Sequence, residues 1–274
     1  MSIVYAICVL GVLGALFGLV LAIASKVFAV QTDERLEPMI EALPGANCGG
    51  CGYSGCAAYA KAVIEGKAKI GACAAGGDES AQKMAAIMGV EAEAMERQVA
   101  MVMCRGLEVV QKGHYDGITD CLAASKVAGK GPLGCEYGCL GMGTCVKACK
   151  YGALSIKNGR AHVDTDKCVG CMSCIAVCPR KVIAPVPYGA DIVVACNSRA
   201  KGPVVTKVCK IGCLGCTKCQ RSCPNDAIHV KDFLAQIDYS KCVSCGLCAE
   251  VCPRHLIADA NLRKDQDLAP AKSR

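Results

Sequence analysis

Four stretches of this chain space cysteines as a metal-cluster loop would. Cys213, Cys216, Cys219 and Cys223 follow the pattern Cys-x2-Cys-x2-Cys-x3-Cys, and Cys242, Cys245, Cys248 and Cys252 repeat it, with Pro224 and Pro253 directly behind. Cys168, Cys171, Cys174 and Cys178 give a third run, closed by Pro179. The fourth is one ligand short. Cys139, Cys145 and Cys149 keep register, but Met142 stands where the second cysteine belongs and Lys150 replaces the closing proline. Two intervening residues let a loop curl round a polynuclear centre and aim successive thiolates at separate irons. Structural zinc is usually met by two well-separated Cys-x2-Cys pairs instead. The triple run therefore points to [4Fe–4S] chemistry rather than to zinc.

The runs belong to an internal repeat. Cysteines 135, 139, 145, 149, 168, 171, 174 and 178 recur at 209, 213, 219, 223, 242, 245, 248 and 252, each 74 residues later. Gly138/Gly212, Leu140/Leu214, Asp164/Asp238 and Ile183/Ile257 keep the same step. Met142 maps onto Cys216, so only the first copy has the defect. ALSI and AHVD in the first copy, with AIHV and AQID in the second, read as short strands bracketing the loops.

Each copy resembles a bacterial two-cluster ferredoxin. The resemblance implies that the first three cysteines of a run hold one cluster and the fourth crosses to the other. In the second copy that rule pairs Cys213, Cys216 and Cys219 with Cys252, and Cys242, Cys245 and Cys248 with Cys223. In the first it pairs Cys168, Cys171 and Cys174 with Cys149, and leaves Cys139, Cys145 and Cys178 lacking a fourth thiol. A thioether is a poor substitute for thiolate. Cys135, four residues before Cys139, is the expected replacement; a three-iron centre without it is the competing reading.

Ahead of the repeat, Cys48, Cys51 and Cys56 lie in the glycine-rich loop NCGGCGYSGC, and Cys73 follows the helical stretch AAYAKAVIEG. Glycine lets backbone approach a bulky cluster, and four cysteines suit one more [4Fe–4S] centre, with zinc the alternative. Five clusters leave Cys8, Cys104, Cys121, Cys196 and Cys209. Setting Cys8 aside, twenty-four of the 25 cysteines divide into six sets of four. Cys104, Cys121, Cys196 and Cys209 are thus candidates for a sixth cluster, and buried unligated thiols are the alternative. Cys135 and Cys209 are equivalent in the repeat, so they could exchange roles.

These loops need elements to carry them. Residues 3–25 contain no charge and at about 1.5 Å per residue would reach roughly 35 Å, enough to cross a bilayer. No basic residue precedes the apolar run, as a signal peptide requires. Lys26 and Arg35 follow it, which places the bulk of the chain on the cytoplasmic side of the inner membrane, single-pass, with 3–25 in lipid. A reducing compartment also suits free thiols and clusters better than disulfides. The expected fold class is α+β, in seven parts. They are a transmembrane helix (1–26), a small α-helical [4Fe–4S] domain (27–77) and a helical linker with Cys104 and Cys121 (78–131). The first ferredoxin-like module (132–188), a linker with Cys196 (189–208), the second module (209–258) and a disordered tail (259–274) follow. The four histidines, His114, His162, His229 and His255, show no ligand spacing.

Aromatic content is 4%, with no Trp, so bound metal must supply much of the organisation. The formal charge is +7. A cluster on four thiolates carries about −2 when oxidised, so six would add about −12 and leave about −5. No basic block or basic–aromatic alternation marks a nucleic-acid surface. No nucleotide fingerprint or triad appears, so neither NAD nor flavin is expected on this chain, and no catalytic residue is assigned.

Taken in order, the single span, the loop NCGGCGYSGC with Cys73 beyond, and the stretch GCEYGCLGMGTC resemble the B subunit of Rnf complexes, membrane-bound ferredoxin:NAD+ oxidoreductases coupled to ion transport. The resemblance covers nearly the whole chain and is to the longer forms. It implies an electron wire tethered to the membrane, accepting electrons from reduced soluble ferredoxin. It would relay them to the membrane subunits and to the flavin subunit that handles NAD, while its partners move the ion. A tethered polyferredoxin serving a hydrogenase or another dehydrogenase is the alternative.

Overall fold

The structure, a computed structural model, describes residues 2–27, 33–91, 96–106, 109–113 and 115–259. His114 and the expected tail beyond 259 lie outside them. Helix α1 (Ser2–Val27) is long and apolar enough to cross a membrane, and none of its Ile7–Ala24 window is buried. A run without a polar face has nothing to offer water, and none of that window is buried by the described residues, which fits a lipid-facing helix.

Helices α2 (Leu36–Glu41), α3 (Cys56–Ile64) and α4 (Gly77–Met88) enclose a small core in which Met39, Tyr59 and Met84 are wholly buried. Gly66, at φ 71°, ends α3 in a left-handed turn, and the Lys67 N–H closes back onto the Ala62 carbonyl.

Where the sequence predicts a helical linker over 78–131, the described residues have helix only at α4 and α5 (Cys121–Lys126). Between them, Gln98–Val102 forms strand β1, with Val99 and Ala100 buried. Gly89, at φ 69°, stops α4, and the short apolar run behind it is strand-like in length.

The first module contains α6 (Thr144–Ala148), hairpin β2 (Leu154–Lys157) with β3 (Arg160–Val163), α7 (Ser173–Ala176) and β4 (Ile183–Pro187). Within the expected linker come β5 (Ile192–Val194) and α8 (Gly202–Val208). The second module adds α9 (Lys218–Arg221), hairpin β6 (Ile228–Lys231) with β7 (Leu234–Ile237), α10 (Leu247–Glu250) and β8 (Ile257–Asp259).

The repeat is larger than the cysteine runs. β1 pairs antiparallel with β4, setting Val102 opposite Ile183. β5 pairs in the same way with β8, setting Val194 opposite Ile257. The Met103 N–H donates to the Val182 carbonyl, as Ala195 does to Leu256. Cys104 and Cys196, each two residues past these strands, are therefore structural counterparts. In sequence, 31 positions separate Cys104 from Cys135 but only 13 separate Cys196 from Cys209. The first copy thus carries an 18-residue insertion, which holds Cys121 and hides the equivalence from any fixed-step comparison.

Candidate functional site

The loop backbone comes first. In all four runs the residue before the second ligand position is left-handed: Gly141, Gly170, Gly215 and Ser244 lie at φ 71°, 68°, 67° and 57°. The residue after it is left-handed too: Gly143, Met172, Thr217 and Gly246. Such a pair of turns wraps the chain round a bulky object. The Met142 loop keeps both, so it lost a ligand without losing its shape.

Around these loops the thiols gather in sets. Cys48, Cys51, Cys56 and Cys73 line a cavity of about 350 Å³. Cys213, Cys216, Cys219 and Cys252 line another, and Cys223, Cys242, Cys245 and Cys248 a third, of about 370 Å³ each. Each of the three cavities brings together the thiols of one predicted set of four. Cys174 feels the charge of Cys168 and Cys171 and, more weakly, of Cys145 and Cys149.

The other two groups differ from expectation. Cys139 and Cys145 lie with Cys178 and with Cys121, not with Cys135. Asp120 explains how. Its carboxylate accepts from the Leu122 and Ala123 N–H groups, capping α5, and from the Thr144 hydroxyl at 2.8 Å. The Cys121 N–H in turn donates to Thr144 Oγ1 at 2.9 Å. Thr144, two residues past Met142, so ties the insertion to the defective loop and brings Cys121 into it. The sequence signal was a cap residue just before a cysteine, Asp120–Cys121, facing a hydroxyl that the second copy replaces with Lys218.

Cys135 instead joins Cys104, Cys196 and Cys209 around a cavity of about 410 Å³. The expected sixth set is corrected accordingly: Cys121 leaves it and Cys135 enters. Cys104 and Cys135 come from the first copy, and Cys196 and Cys209 from the second, so this group straddles the pseudo-symmetry of the repeat. Matching braces hold the halves together. Arg105 donates to the His255 carbonyl at 2.6 Å, and Asn197 Nδ2 donates to the Arg180 and Lys181 carbonyls at 3.2 Å.

The donor set fits a [4Fe–4S] cube. Among the described residues no three His, Cys, Asp or Glu side chains converge as a single-ion site requires. The thiols ring cavities instead, and backbone N–H groups point at their sulfurs. Ala100 donates to Cys168 and Ala161 to Cys139, each at 3.4 Å, Cys213 to Cys196 and Ala227 to Cys223, each at 3.3 Å. Burial pushes the thiols of Cys104 and Cys174 up to about 12, and those of Cys145, Cys196, Cys219 and Cys248 to about 11. Thiolates at such sites require a compensating cation core.

Neighbouring sets adjoin in one order. Gly50, in the first loop, abuts the Cys171 carbonyl so closely that a Cβ there would come within 2.5 Å of it. Cys174 feels the charge of Cys145. The Cys139 N–H and thiol both act on Cys104, the Cys213 N–H donates to Cys196, and Cys219 acts on Cys248. These contacts link each set of thiols to a next one, from the amino-terminal loop to the second module.

Comparisons with known proteins find iron–sulfur domains along this chain. Residues 43–75 match a Fe-S cluster family, and residues 134–182 and 212–256 match the 4Fe-4S dicluster domain. Over 254 residues, 92% of this chain and 96% of the relative, the sequence is 41% identical to the B subunit of the ion-translocating oxidoreductase complex of Methanosarcina acetivorans. It is 41% identical to the B subunit of the Na+-translocating ferredoxin:NAD+ oxidoreductase complex of Acetobacterium woodii, over 91% of this chain and 76% of that one. To the proton-translocating counterpart from Clostridium ljungdahlii it is 42% identical, over 92% and 90%.

Proposed function

The chain belongs to the B-subunit family of ion-translocating oxidoreductase complexes, and from that premise we propose that it is a membrane-tethered wire of six [4Fe–4S] clusters. Its place as an iron–sulfur electron-carrier subunit follows from the family. The rest is our reading. What supports it is that contacts link one thiol set to the next along the chain of modules, since single electrons travel by hops between adjoining centres. When bound, the clusters supply one-electron redox centres whose potentials depend on burial, charge and hydrogen bonds to sulfur.

The chain's own residues do the rest. The N–H groups of Ala100, Ala161, Cys213 and Ala227 tune individual sulfurs. Arg160, 7% exposed, donates to the Cys104 carbonyl and sets a cation beside the middle set. Cys216 and Cys245 are exposed, so the second module is the end that a soluble donor such as reduced ferredoxin can approach. At the other end, Cys48 lies 21 residues past the end of α1, and a tether that short keeps it near intramembrane acceptors. We assign α1 to the membrane, the rest to the cytoplasmic face, and the onward acceptors to the membrane and flavin subunits. Relatives of equal similarity are named for Na+ and for protons, so no ion is assigned.

The test is anaerobic purification of the full chain with iron, acid-labile sulfide and EPR analysis. Six four-iron centres are expected. Cys121→Ser should alter a centre of the first module, and Cys135→Ser the centre between the modules. Colourless, zinc-filled protein would overturn the whole reading. Loss of the same signal in both variants would overturn the division of these two cysteines.

A further inference from the structure

Tyr151 follows Lys150, the residue that replaces the proline of the loop pattern. Lys150 Nζ donates to the Ala46 carbonyl at 3.0 Å, fastening the first module to the amino-terminal loop. That contact carries the Tyr151 ring into the seam. There its hydroxyl oxygen is fully buried and finds no hydrogen-bond partner among the described residues. Leaving a buried hydroxyl unpaired costs about 1–3 kcal/mol, so a group kept in that position has an acceptor when the site is loaded. The charged groups that bear on the phenol are thiols: Cys48 first, then Cys171, Cys73 and Cys56. Three of these four belong to the amino-terminal set. A phenol is protonated at neutral pH, so its hydroxyl has a proton to donate to a sulfur acceptor.

We propose that the Tyr151 hydroxyl donates a hydrogen bond to a sulfur of the cluster held by Cys48, Cys51, Cys56 and Cys73, so that the first module sets the potential of a centre it does not ligate. This rests on the iron–sulfur reading above. A donor to sulfur stabilises the reduced, more negative cluster and raises its potential. One electron enters the cluster, while the phenol keeps its proton and loses no electron. The amino-terminal centre therefore accepts electrons more readily when its domain is docked on the module. Tyr59, the other buried phenol near this set, is already occupied: it donates to the Lys69 carbonyl at 2.8 Å and accepts from the Ala72 N–H at 3.1 Å.

The experiment is an EPR-monitored redox titration of full-length, anaerobically prepared Tyr151→Phe beside wild type. Cys48→Ala identifies the amino-terminal signal. The Tyr151→Phe variant should hold as much iron as wild type. Its amino-terminal signal alone should move to lower potential, by up to about tenfold in the reduction equilibrium, or 59 mV for one electron. The coupling of that signal to an exchangeable deuteron in D2O should vanish. An unchanged potential and coupling, or a shift confined to the Cys171 centre, would overturn the proposal. An absence of iron in wild type would instead sink the iron–sulfur reading beneath it.

Discussion

At position 142 the first module has Met and at 216 the second has Cys, yet both residues sit between left-handed turns of the same kind. At 150 the first has Lys where the second has Pro224, and at 160 Arg where the second has Leu234. Each departure coincides with added chain. Near Met142 lies the insertion with Cys121; Lys150 bonds Ala46 of the amino-terminal domain; Arg160 reaches the Cys104 carbonyl. The second module, tied to the first through its His255 carbonyl, keeps the cleaner sequence and the more exposed thiols. The first module's irregularities are therefore junctions. A repeat unit placed in the middle of a series has neighbours on both sides, and its loop residues answer to them.

Rewriting one module as the other puts this contrast under the greatest strain. Cys121→Ala should cost the first module one four-iron centre, and adding Met142→Cys should restore it, because the loop already has the second module's backbone. Iron content and EPR of the double variant would show this, and failure of the rescue would mean that the two loops differ in shape after all. Cys216→Ala should remove a centre of the second module, with no thiol at hand to replace it.

A smaller effect separates the paired glycines. A Cβ at Gly141 would run into the Gly159 carbonyl oxygen, whereas one at Gly215 would stand 3.0 Å from Phe233 backbone atoms. Gly215→Ala should cost about 1–2 kcal/mol for the left-handed backbone, and Gly141→Ala roughly twice that, since backbone must also move. Thermal unfolding of the two loaded variants would rank them. Next come the braces. Arg105→Ala removes a charged donor and should destabilise by about 2 kcal/mol, while Asn197→Ala, a neutral one, should cost about 1 kcal/mol. Both should loosen the centre between the modules, measured as faster iron release to a chelator. Smallest is Thr144→Val, expected to cost about 1 kcal/mol through the lost Asp120 bridge. Lys218→Ala, at the exposed counterpart, should stay within about 0.5 kcal/mol.

Much of the site was legible because its chemistry is local. Cys-x2-Cys-x2-Cys reads the same in any fold, and the loop residues it needs are neighbours in sequence. The fourth cysteine of a run crosses to the other cluster by a rule of the fold, which the ferredoxin resemblance supplied. Cys121 and Cys135 defied that logic. Cys135 was closer to the gap along the chain, but the residue that lies against Cys139, Cys145 and Cys178 arrives from 21 positions before Met142, held by Asp120 and Thr144. The helical linker expected over 78–131 breaks at Gly89 for a related reason: β1 is a strand because β4 is there to pair with it.

Residue type and spacing alone were enough to read the thiol chemistry, the 74-residue repeat and the apolar amino-terminal helix, and the motifs carried a resemblance that pointed to the family. Which distant cysteines share a cavity, that Cys104 and Cys196 are counterparts, and where the Tyr151 hydroxyl ends emerged only from the folded chain. Spacing along a chain fixes geometry over a single loop. Beyond that, strand pairing, caps and the braces between modules govern which side chains meet, and an 18-residue insertion is enough to hide the outcome from the one-dimensional pattern.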